Sequence, residues 1–113
     1  MPASRIGDAR IRIPDRIGRG DTIIVNSIVS HPMDTGFFRT RDGDPIPAYF
    51  IAEVTVSYAD REILRCEWTS GISRDPVLTF ALTADKEGLL TMVWKDNKGA
   101  TYHQTVTIAF TAA

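Results

Sequence analysis

Apolar and polar side chains alternate with a period of two along five separate segments of this chain, which restricts it to a fold built from half-buried strands. From Phe50 to Tyr58 the apolar set is Phe50, Ala52, Val54, Val56 and Tyr58, interleaved with Glu53, Thr55 and Ser57. Leu64, Cys66 and Trp68 repeat the pattern against Arg65 and Glu67. Leu78, Phe80 and Leu82 oppose Thr79 and Thr83, and Leu90, Met92 and Trp94 oppose Thr91 and Lys95. Tyr102, Val106, Ile108 and Phe110 oppose His103, Thr105 and Thr107.

Two further segments bring the expected count to about seven strands. Thr22 to Val29 is a denser β-branched run that predicts a strand covered on both faces, and Ile11 with Ile13 predicts a short edge strand stopped by Pro14. Turn chemistry separates these segments: Asp42-Gly43, Tyr58-Ala59-Asp60-Arg61, and Asp96-Asn97-Lys98-Gly99, whose glycine suits a left-handed position. Short strands at this spacing, with no amphipathic helix, predict an all-β, immunoglobulin-like antiparallel sandwich forming one domain over residues 1–113.

A chain of 113 residues buries about 65% of its unfolded surface, enough to fold without a disulfide or structural metal. Thirteen Lys and Arg against fourteen Asp and Glu leave a net charge of −1, so no global field favours nucleic acid or an anionic membrane. No run approaches the ~18 apolar residues of a membrane span, and the N-terminus lacks the apolar stretch of a secretory signal. Taken literally, this predicts a cytoplasmic protein. The single cysteine, Cys66, excludes an intrachain disulfide.

The nineteen residues from Val29 to Pro47 do not fit the alternation. Three prolines, two glycines and Asp42 read as loop, yet the segment also holds Met33, Ile46 and the adjacent rings Phe37 and Phe38. Turns gain nothing from aromatic rings, so these either plug the end of the sandwich or meet a partner. A partner surface predicted here has Met33, Phe37, Phe38 and Ile46 at its centre, Arg39 and Arg41 on its rim, and a strand beginning at Tyr49 beside it. His31 precedes Pro32 and is biased toward extended backbone, where its imidazole can anchor the loop through a backbone carbonyl or contact the partner directly.

Chemical motifs are sparse. His31, His103, Cys66 and Met33 are the residue types of a blue-copper centre, but here they are scattered over a loop and two strand faces. Cys66 falls on the inward face between Leu64 and Trp68, where a buried structural thiol is the commoner fate, and His103 falls on a polar face. Trp68 and Trp94 read as core rings. No GxSxG, phosphate-binding glycine loop, CxxC or HExxH is present, so no enzyme class is indicated.

Ser30-His31-Pro32-Met33-Asp34-Thr35-Gly36, followed by a basic stretch, Asp42-Gly43 and Ile46-Pro47, closely resembles the hallmark of SoxZ, the smaller subunit of the SoxYZ carrier in bacterial thiosulfate oxidation. Asp75-Pro76-Val77-Leu78-Thr79-Phe80 and Trp94-Lys95-Asp96-Asn97-Lys98-Gly99 are similar to two later segments of that family, and the likeness spans about residues 9 to 110. The resemblance implies an immunoglobulin-like sandwich without enzymatic activity or cofactor, pairing with SoxY, whose mobile glycine-rich arm carries sulfur intermediates on a cysteine. The segment Thr107 to Ala113 contains neither glycine nor cysteine, so this chain is expected to be the scaffold and not the arm. It also implies a periplasmic location reached together with a signal-bearing partner, in place of the cytoplasm. A different class, a small electron-transfer metalloprotein using His31, His103 and Cys66, is the alternative.

Overall fold

A computed structural model describes residues 5–111, so the two ends of the expected domain, residues 1–4 and 112–113, lie outside the described residues. Seven strands are present among these residues and no helix: β1 (Ala9–Arg12), β2 (Asp21–Val29), β3 (Ile51–Tyr58), β4 (Arg61–Glu67), β5 (Val77–Ala84), β6 (Gly88–Asp96) and β7 (Thr101–Ile108). They form a three-stranded sheet in the order β1-β2-β5 and a four-stranded sheet in the order β4-β3-β6-β7, every pairing antiparallel. The architecture is the immunoglobulin-like sandwich that the alternation predicts.

The inner faces make the core. Val25 and Val29 from β2, Ile51, Val54 and Val56 from β3, Leu90, Met92 and Trp94 from β6, and Ile108 from β7 are all fully buried. Each such side chain contributes roughly 1.5–3 kcal/mol over its exposed state. Edge strands gain less: Leu64 and Cys66 of β4 and Trp68 beyond it are half-buried against this core, so neither Cys66 nor Trp68 is the enclosed residue that parity alone suggests.

Two strands depart from expectation for identifiable reasons. In β3 the register against β6 slips between Ile51 and Glu53, leaving an extra residue. This bulge turns Ile51 inward although it has the opposite parity to Val54, and leaves Phe50 and Ala52 half-buried. In β2 the run of branched residues conceals an ordinary one-sided strand. Ile23, Val25, Ser27 and Val29 are buried, whereas Thr22, Ile24, Asn26 and Ile28 are exposed on an uncovered outer face. Among the described residues no layer covers that face, so the expectation of burial on both sides is corrected.

The hairpin between β3 and β4 turns through Ala59 and Asp60 with φ of 49° and 67°, the left-handed pair that two-residue hairpins require. Neither residue is suited to it as glycine is. Replacing Asp60 by glycine is expected to stabilise the domain by about 0.5–1 kcal/mol, a rise of a few degrees in melting temperature. An unchanged or lower thermal midpoint would contradict that account of the turn.

Candidate functional site

The segment between β2 and β3 is an irregular two-legged finger. Its legs close at the root where Asp34 and Tyr49 exchange backbone hydrogen bonds of 2.7 and 2.9 Å, and again near the tip where the Ile46 amide donates to Phe38 (2.9 Å). At the tip, the Thr40 amide donates to Asp44 and the Gly43 amide to Thr40, and the Arg39 guanidinium folds back onto the Gly43 carbonyl at 2.9 Å. Gly36 permits the close approach of the legs: its φ is +88°, and a Cβ there would stand 3.2 Å from the Ala48 Cβ.

Phe37 and Phe38 project from the outgoing leg with 88% and 66% of their surface exposed. Neither plugs the sandwich. Arg39 and Arg41 are exposed, and Ile46 and Tyr49 are half-buried. Tyr49 does not open a strand, since regular pairing starts at Ile51; it forms only the isolated bridge to Asp34. The other two residues expected at a partner surface face inward. Met33 is 5% exposed, with a backbone φ of 53° and its sulfur accepting the Ile51 amide at 3.3 Å, and the His31 side chain is fully enclosed. Both offer no surface to a partner; they hold the root of the finger.

The root is built around a buried carboxylate. Asp96 ends β6 at the inward parity of Leu90, Met92 and Trp94, and its side chain accepts the Lys98 and Ala100 amides (2.9 and 3.0 Å) and the Tyr102 hydroxyl (2.7 Å). Because that hydroxyl has one proton and gives it to Asp96, the Tyr49 hydroxyl, 3.1 Å away, donates to Tyr102. Next in the turn, Asn97 clips the returning leg: its side chain accepts the Phe50 amide and donates to the Ala48 carbonyl, both at 2.9 Å. The Lys98 ammonium lies over the Tyr49 ring, 4.0 Å from its centre.

His31 joins the outgoing leg to this cluster. Its Nδ1 accepts the Met33 amide at 3.2 Å, so the neutral ring carries its proton on Nε2. That atom has no hydrogen-bond partner among the described residues and sits 3.8 Å from the Asp96 Oδ2, while the ring packs on Tyr49 with centres 4.4 Å apart. The backbone of His31 is clasped by Asp75, whose side chain accepts the His31 amide and whose amide donates to the His31 carbonyl, each at 2.9 Å. The imidazole therefore anchors the loop through a backbone amide and not through the carbonyl that the sequence suggests.

Burial lowers the His31 pKa below 6.5, outweighing the Asp96, Asp34 and Asp75 carboxylates that would raise it. At Asp96 burial pushes the other way from the net result: the Tyr102 hydroxyl, the Ala100 and Lys98 amides and His31 hold the carboxyl below 3.8. Tyr102 is raised, first by burial and then by its bonds to Tyr49 and Asp96.

Asp96 and Tyr102 are not among the site residues expected from the sequence, although an acid at an inward position is a legible anomaly. His103 is exposed on β7, Cys66 lies half-buried on β4, and His31 is enclosed at the finger root. Among the described residues no three His, Cys, Asp or Glu side chains are gathered as a metal ion requires. No helix among them is long and apolar enough to cross a membrane.

Fold and site together define an immunoglobulin-like sandwich that presents two aromatic rings on a braced finger. Residues 11–107 match the family described as sulphur oxidation protein SoxZ. The chain belongs to the SoxZ family, and so to the sulfur-oxidation system. No curated protein sequence matches it. Among solved structures it is similar to the sulfur carrier protein SoxY from Chlorobium limicola f thiosulfatophilum, at 13% identity and a TM-score of 0.62, over 88% of this chain and 71% of that one. It is also similar to a superoxide reductase (neelaredoxin) from Ignicoccus hospitalis, at 17% identity and a TM-score of 0.65, over 90% and 79% of the two chains. A superoxide reductase variant from Archaeoglobus fulgidus follows at 21% identity and a TM-score of 0.58, over 89% and 86%. At these identities the likeness is one of fold.

Two outcomes test the root. Unfolded His31 takes up its proton near 6.5, whereas the folded protein resists protonation until lower pH, so stability is complete above about 6.5 and falls as pH drops below it. The Asp96 contribution is lost only below 3.8. Urea midpoints should therefore decline between pH 7 and 5, and His31→Asn should flatten that decline. Separately, Asp96→Ala should cost about 1–3 kcal/mol or more, because it leaves the Lys98 and Ala100 amides and the Tyr102 hydroxyl without the side chain they donate to; a loss under a few tenths would refute the role given to the carboxylate.

Proposed function

We propose that this chain is the non-catalytic scaffold subunit of a sulfur-carrier complex, pairing with a SoxY-like protein that bears the sulfur intermediates on its own mobile cysteine arm. The observation that carries the reading is the pair Phe37 and Phe38, held in solvent on a finger whose base is fixed by buried hydrogen bonds. Rigid exposed rings are the usual anchors of an interface, because ordering them on binding costs little. The chemically able groups at the root, His31 and Asp96, are committed to bracing the finger. That suits a scaffold and not a catalyst. Pairing leaves the partner's arm free to visit the enzymes of the pathway, through which this chain meets them only transiently, and export in company with a signal-bearing partner would place the complex in the periplasm.

The direct test is a titration of the purified chain with its SoxY-like partner. Phe37→Ala or Phe38→Ala should weaken association by ~2 kcal/mol or more, about thirtyfold, with an unchanged melting temperature. If both variants bind normally, the interface lies elsewhere. Cys66, half-buried on β4, is not the carrier in this scheme. Cys66→Ser should leave thiosulfate-dependent turnover of the reconstituted system within about twofold, after any stability loss of ~1–3 kcal/mol is allowed for. Abolished turnover with a folded variant would overturn the assignment.

A further inference from the structure

The finger is too small to hold a stable partner alone. A phenylalanine buries about 150–250 Å², so the two rings supply roughly half of the about 800 Å² that each side of a standard interface contributes. The remainder has an evident source. Among the described residues eight large apolar side chains are exposed, and of the six outside the finger four lie together: Ile24 (51%), Ile28 (41%), Val77 (61%) and Ile6 (51%). Ile63 and Leu89 are on strands of the other sheet.

Register turns these positions into a surface. On the outer face of the three-stranded sheet Arg10 stands beside Ile28 and Ile28 beside Val77; Arg12 stands beside Asn26 and Asn26 beside Thr79; Ile24 stands beside Ala81. Arg10 and Arg12 are the only charges at the outward positions of these strands, although the chain as a whole is −1. The other sheet differs, with Glu53 and Glu62 ion-paired to Arg65 at 3.0 and 2.8 Å. At the centre of the basic face the Thr79 hydroxyl donates to Asn26 at 2.8 Å, which lowers the cost of covering that polar pair. The face is also continuous with the finger root, since Ile6, Ile28, Ser30, Pro32, Arg74 and Asp75 line one depression between them.

We propose that the partner docks across this outer face as well as the finger, with an apolar centre over Ile24, Ile28 and Val77 and carboxylates opposite Arg10 and Arg12. The proposal rests on the SoxY-like pairing above and adds the larger part of its area. A mixed patch of this kind excludes water from the apolar rows while the arginines, at its rim, govern approach more than residence.

Binding of the purified SoxY-like partner is measured with Val77→Glu, Ile24→Glu, the double variant Arg10→Glu/Arg12→Glu, and Leu89→Glu as control, each first checked by thermal melting. Val77→Glu and Ile24→Glu should weaken binding at least tenfold. The arginine double variant should slow association several-fold and reduce its dependence on salt, and Leu89→Glu should change nothing. Finger variants are run in parallel to separate the two readings. If Phe37→Ala and Phe38→Ala weaken binding while all face variants bind normally, the face proposal is overturned and the finger reading stands. If the face variants weaken binding and the finger variants do not, the face stands and the finger reading falls. Failure of the unaltered chain to bind the SoxY-like partner overturns both, whereas sedimentation showing that the face instead joins two copies of this chain overturns the face proposal and leaves the finger reading standing.

Discussion

Burying the Asp96 carboxylate would cost several kcal/mol if it were left bare, and the turn between β6 and β7 is organised so that it is not. Two amides of its own turn and the Tyr102 hydroxyl satisfy it. Each of those bonds has a consequence further along: the turn is fixed, so Asn97 is aimed at Ala48 and Phe50, and the Tyr102 phenol is fixed, so it can receive Tyr49. The returning leg of the finger is therefore pinned by a residue nearly fifty positions away. The outgoing leg is pinned from the other side by His31, whose ring lies against Tyr49. Without this base, a partner would have to order the finger at the moment of binding, at roughly 1–2 kcal/mol per residue of backbone.

A likeness of fold to superoxide reductases carries no chemistry with it. A sandwich is a frame, and a metal needs ligands converging from neighbouring positions. Here one histidine is sealed at the sandwich end with its Nδ1 occupied by a backbone amide, and the other faces solvent from β7. What the frame does supply at its end is rigidity, and this chain has used the imidazole and carboxylate there to set the direction of a loop.

Much of the fold is legible in the sequence because the strands are half-buried, and half-burial writes itself as alternation. Leu90, Met92 and Trp94 are inward as their spacing requires, and Gly99 takes the left-handed φ of 87° that its turn requires. The alternation misleads in two places. In β2 the outer face is apolar too, so the spacing cannot distinguish an open face from a covered one. In β3 the bulge depends on pairing with β6, and nothing local to Ile51 announces it. The finger was legible as an anomaly, and its exposed rings as interface candidates, but its root was not. Met33 carries no mark of the left-handed backbone that directs it inward, and whether His31 faces a carbonyl or an amide is decided by that same twist. Asp96 was the readable clue: extending the β6 alternation two residues places an acid in the core, which demands partners.

The surface that results is poorly suited to a solitary life. Among the described residues five of the eight exposed large apolar side chains belong to the finger and the outer face of the three-stranded sheet, with Ile6 beside them, on a chain whose net charge is only −1. Charge repulsion of that size does little to keep copies apart. Edge strands add to the difficulty, because β5 pairs with β2 alone and leaves a backbone edge open. Monomeric proteins keep such patches small, and a larger one marks either an interaction surface or an aggregation liability. In the pairing proposed above, one partner over the finger and the adjoining face would take the apolar rows out of water in a single association and leave the opposite sheet, with its Arg65 ion pairs and polar threonines, exposed.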